Sequence, residues 1–481
     1  MSTKQDLHQG KLPDIKVDFS EWYNEVVFQA ELADHGPVRG TMVIRPYGYA
    51  IWEEIKNIMD KRIKETGHQN AAFPLLIPES FLKREAHHVA GFSPELAVVT
   101  HAGGKELDEP LVVRPTSETI IHYMFAKWLR SWRDLPLKIN QWANVVRWEM
   151  RPRPFLRTTE FFWQEGHTAH ASKLEAEEEA EMMMREYVAL AQNYLAIPVV
   201  TGVKSDSEKF PGAEKTLTFE AVMPDGKALQ MGTSHLLYQD FAKAFDMTYQ
   251  DEEGKQQHPH LTSWGVTTRL IGATVMMHGD EKGLILPPKI APIQLVIIPI
   301  FKKGVDSALI LQKVHALADE LQKAGVRLFI DAEESKSPGT KFFKWELKGV
   351  PLRMEIGPRD IEQNQVILAD RLGISKEAVS MNGLAAHVVK QLDAIQAELY
   401  TRALAKRTQL WHKAAKLSEF GPIMERDNGL YQTGWCLDPA CEQELKKYKA
   451  FTRCLIPEKT FETCFNCDKP SKTDVLVAKA Y

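Results

Sequence analysis

INQWANVVRWEM (139–150) and RTTEFFWQ (157–164) constrain this chain more than any other stretch. Both have the alternating, aromatic-rich texture of strands, and only RPRPFL separates them. Prolines in that separator make an antiparallel pair with a longish loop the economical arrangement. Side chains alternate across a strand. If the second strand runs on through RTTEFFWQEGHTAH (157–170), then Arg157, Thr159, Phe161, Trp163, Glu165 and His167 share one face. On the partner strand, Arg147 and Glu149 share a face as well. Guanidinium groups bind phosphate as planar multi-donor forks and aromatic rings offer stacking plates, so this face suits a nucleoside triphosphate. The plainer reading puts the aromatics in a core and the arginines at the surface. A metal held by His167 and His170 is another alternative. Positions i and i+3 of a strand point to opposite faces, so that reading needs a bend or helix beginning at Gly166.

At 481 residues the chain is too long for one ordinary core, and two to four domains are expected. From about 20 to 285, helical patterns alternate with strands. YAIWEEIKNIMDKRIKETG places Ile51, Ile55, Ile58, Met59 and Ile63 near helical spacing, with Gly67 as a stop. AAFPLLI reads as a strand, the acidic ASKLEAEEEAEMMMREYVALAQNYLA as a surface helix, and TLTFEAV with KALQM as a hairpin turned at Asp225 and Gly226. From about 290 to 400, IQLVIIPI opens a strand–helix alternation that predicts a small α/β domain. A long helix, QLDAIQAELYTRALAKRTQLWHKAAK, then leads to the third block.

That block holds all five cysteines, between 436 and 467, whereas a secreted disulfide protein would spread them. Cys436 and Cys441 form C-x4-C, and after 22 residues Cys464 and Cys467 form C-x2-C. Four thiolates complete a tetrahedral shell with no open position, so a structural Zn²⁺ is expected; the alternative is a set of buried or free thiols. Cys454 is left over for packing. The formal net charge of −4 gives no global pull on nucleic acid, so such a partner needs a local patch such as KKYKAFTR near 450. The first residues lack a signal peptide's apolar run, and no stretch approaches the roughly 20 apolar residues of a membrane span. A cytoplasmic location without a membrane partner is the expectation.

Three further motifs are weak singly. VVRPTSETIIHYMFAKW (112–128) reads as a strand, a turn and a helix capped by Thr116 or Ser117. GTSHLL (232–237) and SWGVTTRLIGATV (263–275) are glycine-bearing polar stretches of a kind common in loops. In order and spacing the set is specific. The first 285 residues resemble the catalytic domain of class II aminoacyl-tRNA synthetases. RPTSE, RWE, FLRT, EFFWQEGH, GTSH, SWGVTTR and HGDEKGLILPP resemble prolyl-tRNA synthetases of the archaeal and eukaryotic type.

The resemblance implies an α/β and α+β multidomain chain. Residues 1–285 would form an antiparallel-sheet class II catalytic domain, 286–400 an α/β anticodon-binding domain, and 401–481 a small zinc-bearing α+β domain. It implies that Arg147 and Arg269 are catalytic, Arg147 bridging the amino-acid carboxylate and the α-phosphate. Glu149, Arg157, Thr158, Gln230, Thr233, Thr267 and Arg269 would join Arg147 around ATP, with Phe161 stacked on adenine. Thr116, Glu118 and His235 would hold the polar end of L-proline, and Phe92, Trp163, Phe210 and His167 would wall its ring. ATP, Mg²⁺ and tRNA(Pro) follow as substrates and partners. The stretch TGHQNAAFPLLIP, with Pro74, is similar to the first class II motif and implies a homodimer.

Anticodon readers stay unassigned, since Lys344, Glu346, Arg353, Glu355 and Arg359 equally suit a solvated α/β surface. KSPGT near 340 lacks the companions of a class I lysine loop. The chain ends in VAKAY, and in the family a terminal tyrosine, here Tyr481, is directed toward the catalytic site. A class II paralogue for threonine or serine, and a non-catalytic tRNA-binding relative, are the rivals. The first would bring Cys and His zinc ligands into its pocket, and the second has no use for a triphosphate site. Only about 60 residues separate the second motif from GTSH, too few for a large inserted editing domain.

Overall fold

The computed structural model describes residues 11–84, 96–301 and 307–481; Phe92 lies outside them. Helix α1 (Pro46–Glu65) starts with proline at its first turn and buries Ile51, Ile55, Met59 and Ile63, with Ile58 at the edge of that face. It stops at Gly67, whose φ of +88° only glycine adopts readily. The expected strand AAFPLLI shrinks to Leu76–Pro78. Its earlier amides are taken elsewhere, Ala71 donating to the Asn140 carbonyl and Phe73 to the Gln141 side chain, while Pro74 has none to give. Helix α2 (Glu118–Trp128) follows.

Strands β1 (Leu137–Val146) and β2 (Glu160–His170) form the antiparallel pair expected from their alternation. Two boundaries differ from the sequence reading. β2 begins at Glu160, and β1 ends at Val146, so Arg147 and Glu149 lie past the strand on a loop entered through one more backbone bond, Arg147 N–H to the Thr159 carbonyl at 2.8 Å. Pro152 and Pro154 cannot donate to a ladder, which opens the loop.

Helix α3 (Lys173–Asn193) starts with a capping box between Ser172 and Glu175. It is not the surface helix its acidity suggested. Ala176, Ala180, Met183, Met184, Tyr187, Leu190 and Ala191 form a buried stripe, and most of it enters the largest core. The glutamates occupy the opposite face, apart from Glu179, which is buried against His68 and Lys138.

Strands β3 (Val200–Val203), β4 (Lys215–Val222), β5 (Ala228–Tyr238) and β6 (His260–Thr267) complete the central part of the sheet, with the β4–β5 turn at Gly226, φ +79°. Helix α4 (Arg269–His278) leaves β6 directly and packs into the same core.

The middle block is a five-stranded sheet ordered 328–330, 295–299, 352–356, 365–370, 376–380, its first three strands parallel and its last two pairings antiparallel. Its long helix, Leu384–Leu410, runs through position 400.

The third block adds strands β7 (Trp411–Lys413), β8 (Leu430–Trp435), β9 (Phe451–Ile456) and β10 (Thr473–Ala478). These continue the catalytic sheet. The eleven-stranded order is β7-β8-β10-β9-β3-β4-β5-β6-β2-β1 plus the edge pair Gln69–Asn70. The join is narrow, one residue pair between Leu455 and Val203. Gly202 allows it, since a Cβ there would sit 2.2 Å from the Leu455 carbonyl oxygen.

Candidate active site

A cavity of about 520 Å³ lies on one face of this sheet. Alternate residues of β2 run along it, and cross-strand register extends each into a row. His167 pairs with Ser263, which pairs with His235, which pairs with Thr216. One step along, Glu165 pairs with Gly265 and that with Thr233. Two steps further, Phe161 sits opposite Val145 of β1. His170 falls on the other face, hydrogen-bonded to Thr168 at 2.8 Å, and burial lowers its pKa to about 4. The HTAH metal reading fails for that reason.

At one end of the cavity three guanidinium groups converge. Arg269, at the start of α4, is held by the carbonyls of Leu156 (3.3 Å) and Gln230 (3.2 Å). Burial, then Arg157 and Arg147, lower its pKa to about 10, so it remains charged at neutral pH. Arg147 donates from Nε to the Pro115 carbonyl at 2.9 Å, and its guanidinium lies 5.5 Å from the Phe161 ring centre and 5.6 Å from Trp163. Arg157 is half exposed and 3.6 Å from Glu149. Thr158, Gln230 and Thr267 line the same end, the Thr267 hydroxyl accepting the Arg269 N–H at 3.0 Å. Mutually repelling cations held together in one cavity favour a polyanion there.

The other end is acidic and aromatic. Glu118, at the first turn of α2, is buried. Burial alone would raise its pKa; His167, the Thr116 hydroxyl that donates to it, its own backbone N–H and His122 together hold it below the usual carboxylate range. His235 bonds the Thr216 hydroxyl at Nδ1 (3.0 Å) and the Thr233 hydroxyl at Nε2 (2.9 Å), donating from one nitrogen and accepting at the other, and packs 4.6 Å from the Phe210 ring; burial lowers its pKa to about 4, so it is neutral. Trp163 meets Phe161 edge-on at 6.1 Å. The cap expected of Thr116 or Ser117 is absent. Ser117 occupies the N-cap position but donates instead to Glu165 at 2.6 Å.

Every expected pocket residue within the described chain thus lines one cavity. Sequence reasoning missed Glu165 as a hub, together with Ser117, Gln141 and Ser263. It also missed Phe451 and Arg453, which reach the cavity from the third block. Arg453 is buried on Glu220, so of the cations in KKYKAFTR only Lys446, Lys447 and Lys449 are exposed. Tyr481 does reach the site. Its hydroxyl donates to Asp225 at 2.7 Å, Arg157 donates to its carbonyl at 3.3 Å, and the Arg153 guanidinium lies 5.4 Å from its ring centre.

Away from this cavity, Cys436, Cys441, Cys464 and Cys467 bring their sulfurs within 4.8 Å of one another. Among the described residues no other group of three or more His, Cys, Asp or Glu is so placed. A tetrahedron of ~2.3 Å zinc–sulfur bonds has edges of about 3.8 Å. Cys436 lies 3.9 Å from Cys441 and 3.6 Å from Cys467, so the thiols fit such an ion. Cys454 is buried outside the group.

An antiparallel sheet carrying a cationic nucleotide end, with an arginine at the head of the following helix, defines the class. Residues 99–278 match the tRNA synthetase class II core domain (G, H, P, S and T), 294–391 an anticodon binding domain, and 417–481 the prolyl-tRNA synthetase C-terminal domain. The chain is 51% identical to a proline–tRNA ligase of Alkaliphilus oremlandii over the whole of both chains. It is 50% identical to the chloroplastic/mitochondrial proline–tRNA ligase of Arabidopsis thaliana, over 96% of this chain and 87% of that one. The crystal structure of prolyl-tRNA synthetase from Cryptosporidium parvum complexed with halofuginone and AMPPNP superposes with a TM-score of 0.93 at 41% identity, covering 98% and 99% of the two chains. This chain belongs to the prolyl-tRNA synthetase (proline–tRNA ligase) family.

Proposed function

We propose that the chain activates L-proline with ATP and transfers it to the 3' end of tRNA(Pro), with the residues above in the following roles. The observation that carries this is the polarity of one cavity: the Arg157 and Arg269 guanidiniums and Phe161 at one end, Glu118 among Trp163, Phe210 and His235 at the other, and Arg147 between.

The adenine stacks on Phe161, and Arg157, Thr158, Gln230, Thr233, Thr267 and Arg269 surround the ribose and phosphates. Glu149 supplies a carboxylate oxygen at that end that would help to hold Mg²⁺, which would neutralise triphosphate charge. The secondary ammonium of proline meets Glu118 and Thr116, and a ring without polar groups fits the aromatic wall. Arg147 then holds the proline carboxylate against the α-phosphate. Carboxylate oxygen attacks phosphorus, pyrophosphate leaves, and Arg147 and Arg269 stabilise the charge that builds on the phosphoryl oxygens. In the second step the terminal adenosine's 3'-hydroxyl attacks the prolyl carbonyl and AMP departs.

Domains at 1–285, 286–400 and 401–481, a cytoplasmic setting, a structural Zn²⁺ on the four cysteines and a homodimer belong to the same reading. Exposure of Leu75 and Leu76 beside Pro74 supports the dimer. The test is proline-dependent exchange of pyrophosphate into ATP. Glu118→Ala and Arg147→Ala should each abolish measurable exchange, and full activity in either sinks the assignment.

A further inference from the structure

The acidic end of the cavity carries two carboxylates, although one secondary ammonium calls for one. Glu118 and Glu165 are both buried there, 5% and 2% exposed, and His167 stands between their charges. Glu165 is anchored from three directions. Its Oε1 accepts from the Ser117 hydroxyl at 2.6 Å and from the Gln141 amide at 2.8 Å, and its Oε2 lies 3.0 Å from His167 Nε2. Gln141 is itself fixed, because its carbonyl oxygen accepts the Phe73 N–H at 2.6 Å. Every partner is a donor when the His167 proton sits on Nε2, which is the environment of an ionised, acceptor-only carboxylate.

We propose that Glu165 is a positioning residue for the amino-acid half of the site: it holds His167 through Nε2 and balances that ring's charge, leaving Glu118 to receive the ammonium of the substrate. Without Glu165 the ring loses its Nε2 partner and the carboxylate that favours its charge, and Glu118 in turn loses the neighbour that most helps to hold it ionised for the ammonium. The groups facing His167 are few. Glu165 stands on its own strand, Glu118 and His122 on α2 (the His122 ring 5.9 Å away), Ser263 on β6 and the neutral His235 on β5. Burial pulls the His167 pKa down, but Glu165 and Glu118 outweigh it and raise the net value. Both Glu165 oxygens are already filled, by Ser117, Gln141 and His167, whereas Glu118 receives the Thr116 hydroxyl and its own backbone N–H.

The inference rests on the proline reading of this end, and the experiment separates the two. Exchange kinetics are measured on the full chain as wild type, Glu165→Gln and Glu165→Gln/His167→Gln, from pH 6 to 9. In Glu165→Gln the KM for proline should rise at least tenfold at pH 7 while the KM for ATP stays within twofold. The limb of kcat/KM for proline that follows His167 titration should move to lower pH than in wild type, because the variant loses the carboxylate that raises the His167 pKa. The double variant should lose that limb, a result that a purely structural defect does not produce. Ser117→Ala, which removes one anchor, should raise the KM for proline by less. A KM for proline within twofold of wild type in Glu165→Gln, or an equal loss for ATP and proline with no shift of that limb, overturns the proposal. Absence of proline-dependent exchange in wild type overturns the function itself instead.

Discussion

Glu220 makes the junction between the catalytic sheet and the cysteine-bearing block open to a quantitative test. Its Oε2 accepts from Arg453 Nε at 3.1 Å and Nη2 at 2.8 Å, and its Oε1 from Lys204 Nζ at 2.7 Å and the Thr218 hydroxyl at 2.9 Å. The three ionic side chains are 3%, 7% and 1% exposed for Glu220, Arg453 and Lys204. Burial would raise the Glu220 pKa, yet Arg453 and Lys204 hold it below normal. Glu220→Gln leaves two buried cations with only the charge of nearby Glu208, which pairs directly with neither, to balance them, and breaking a buried pair in this way costs about 3–5 kcal/mol. Lys204 can shed its proton, because burial already lowers its pKa, so the lower figure is the expectation. The β3–β9 join has little else along its ladder, a single backbone pair at Leu455 and Val203. A loss of ~3 kcal/mol corresponds to roughly a hundredfold faster amide exchange if opening there is local. Hydrogen exchange of peptides covering 200–204 and 451–456 is the assay, with 295–299 as an internal control. Arg453→Met removes one cation and leaves Glu220 and Lys204 paired, so it should accelerate exchange less. An increase below threefold for Glu220→Gln, or equal acceleration in the control strand, would falsify the reasoning.

Three further outcomes follow from the same structure. Gently purified chain should contain one zinc, and Cys436→Ser or Cys464→Ser should lower that stoichiometry and destabilise residues 417–481 before the catalytic sheet; metal analysis with proteolysis reads both, and wild-type chain without zinc counts against the site. Burial depresses His170, His235 and His278 to about 4 each, so the unfolded chain takes up their protons first as pH falls. Their contribution is intact above the unfolded value near 6.5 and is lost toward pH 4, on the order of 1.4 kcal/mol per pH unit per histidine. The urea midpoint should therefore drop steeply between pH 6.5 and 5, and a flat profile contradicts the burial argument. Residues 171–227 contain only α3, β3 and β4 with their loops, which leaves no inserted editing domain. Alanine differs from proline by methylenes worth about 1–3 kcal/mol each. Slow alanine activation without hydrolysis of alanyl-tRNA in cis is expected, and efficient deacylation by the purified chain would refute it.

How much of this was legible in the sequence depends on the range of the interaction. Strand alternation is local, and it correctly put Phe161, Trp163, Glu165 and His167 on one face and His170 on the other. The α/β alternation after 290 is equally local, although the short, exposed strand Lys376–Ser380 carries too little pattern to be seen. Helix α3 was misplaced because its glutamates dominate composition while small residues, Ala176, Ala180 and Ala191, make up much of the face that packs. Ser117 illustrates the opposite error. A serine before a helix is read as a cap, and no local rule says that a carboxylate 48 positions away will take its hydroxyl. Glu220 with Arg453 is separated by 233 positions and has no local signature at all.

Those long-range contacts also explain why one strand can serve two chemically opposite ligands. β2 alone would bring Glu165 and His167 close to the aromatics and arginines of the cationic end, and nothing in alternation keeps the imidazole from the wrong carboxylate or a carboxylate from the wrong cation. The separation is imposed across the strand, by neighbours the alternation does not specify. Ser117 and Gln141 occupy one Glu165 oxygen at the acidic end, while main-chain carbonyls of Leu156 and Gln230 hold Arg269 at the cationic end. Gly265 keeps the space between Glu165 and Thr233 free of a side chain, where an added Cβ would stand 2.9 Å from the Gln164 carbonyl oxygen. Local alternation thus supplies the list of polar and aromatic groups, and cross-strand contacts assign each to its end of the cavity.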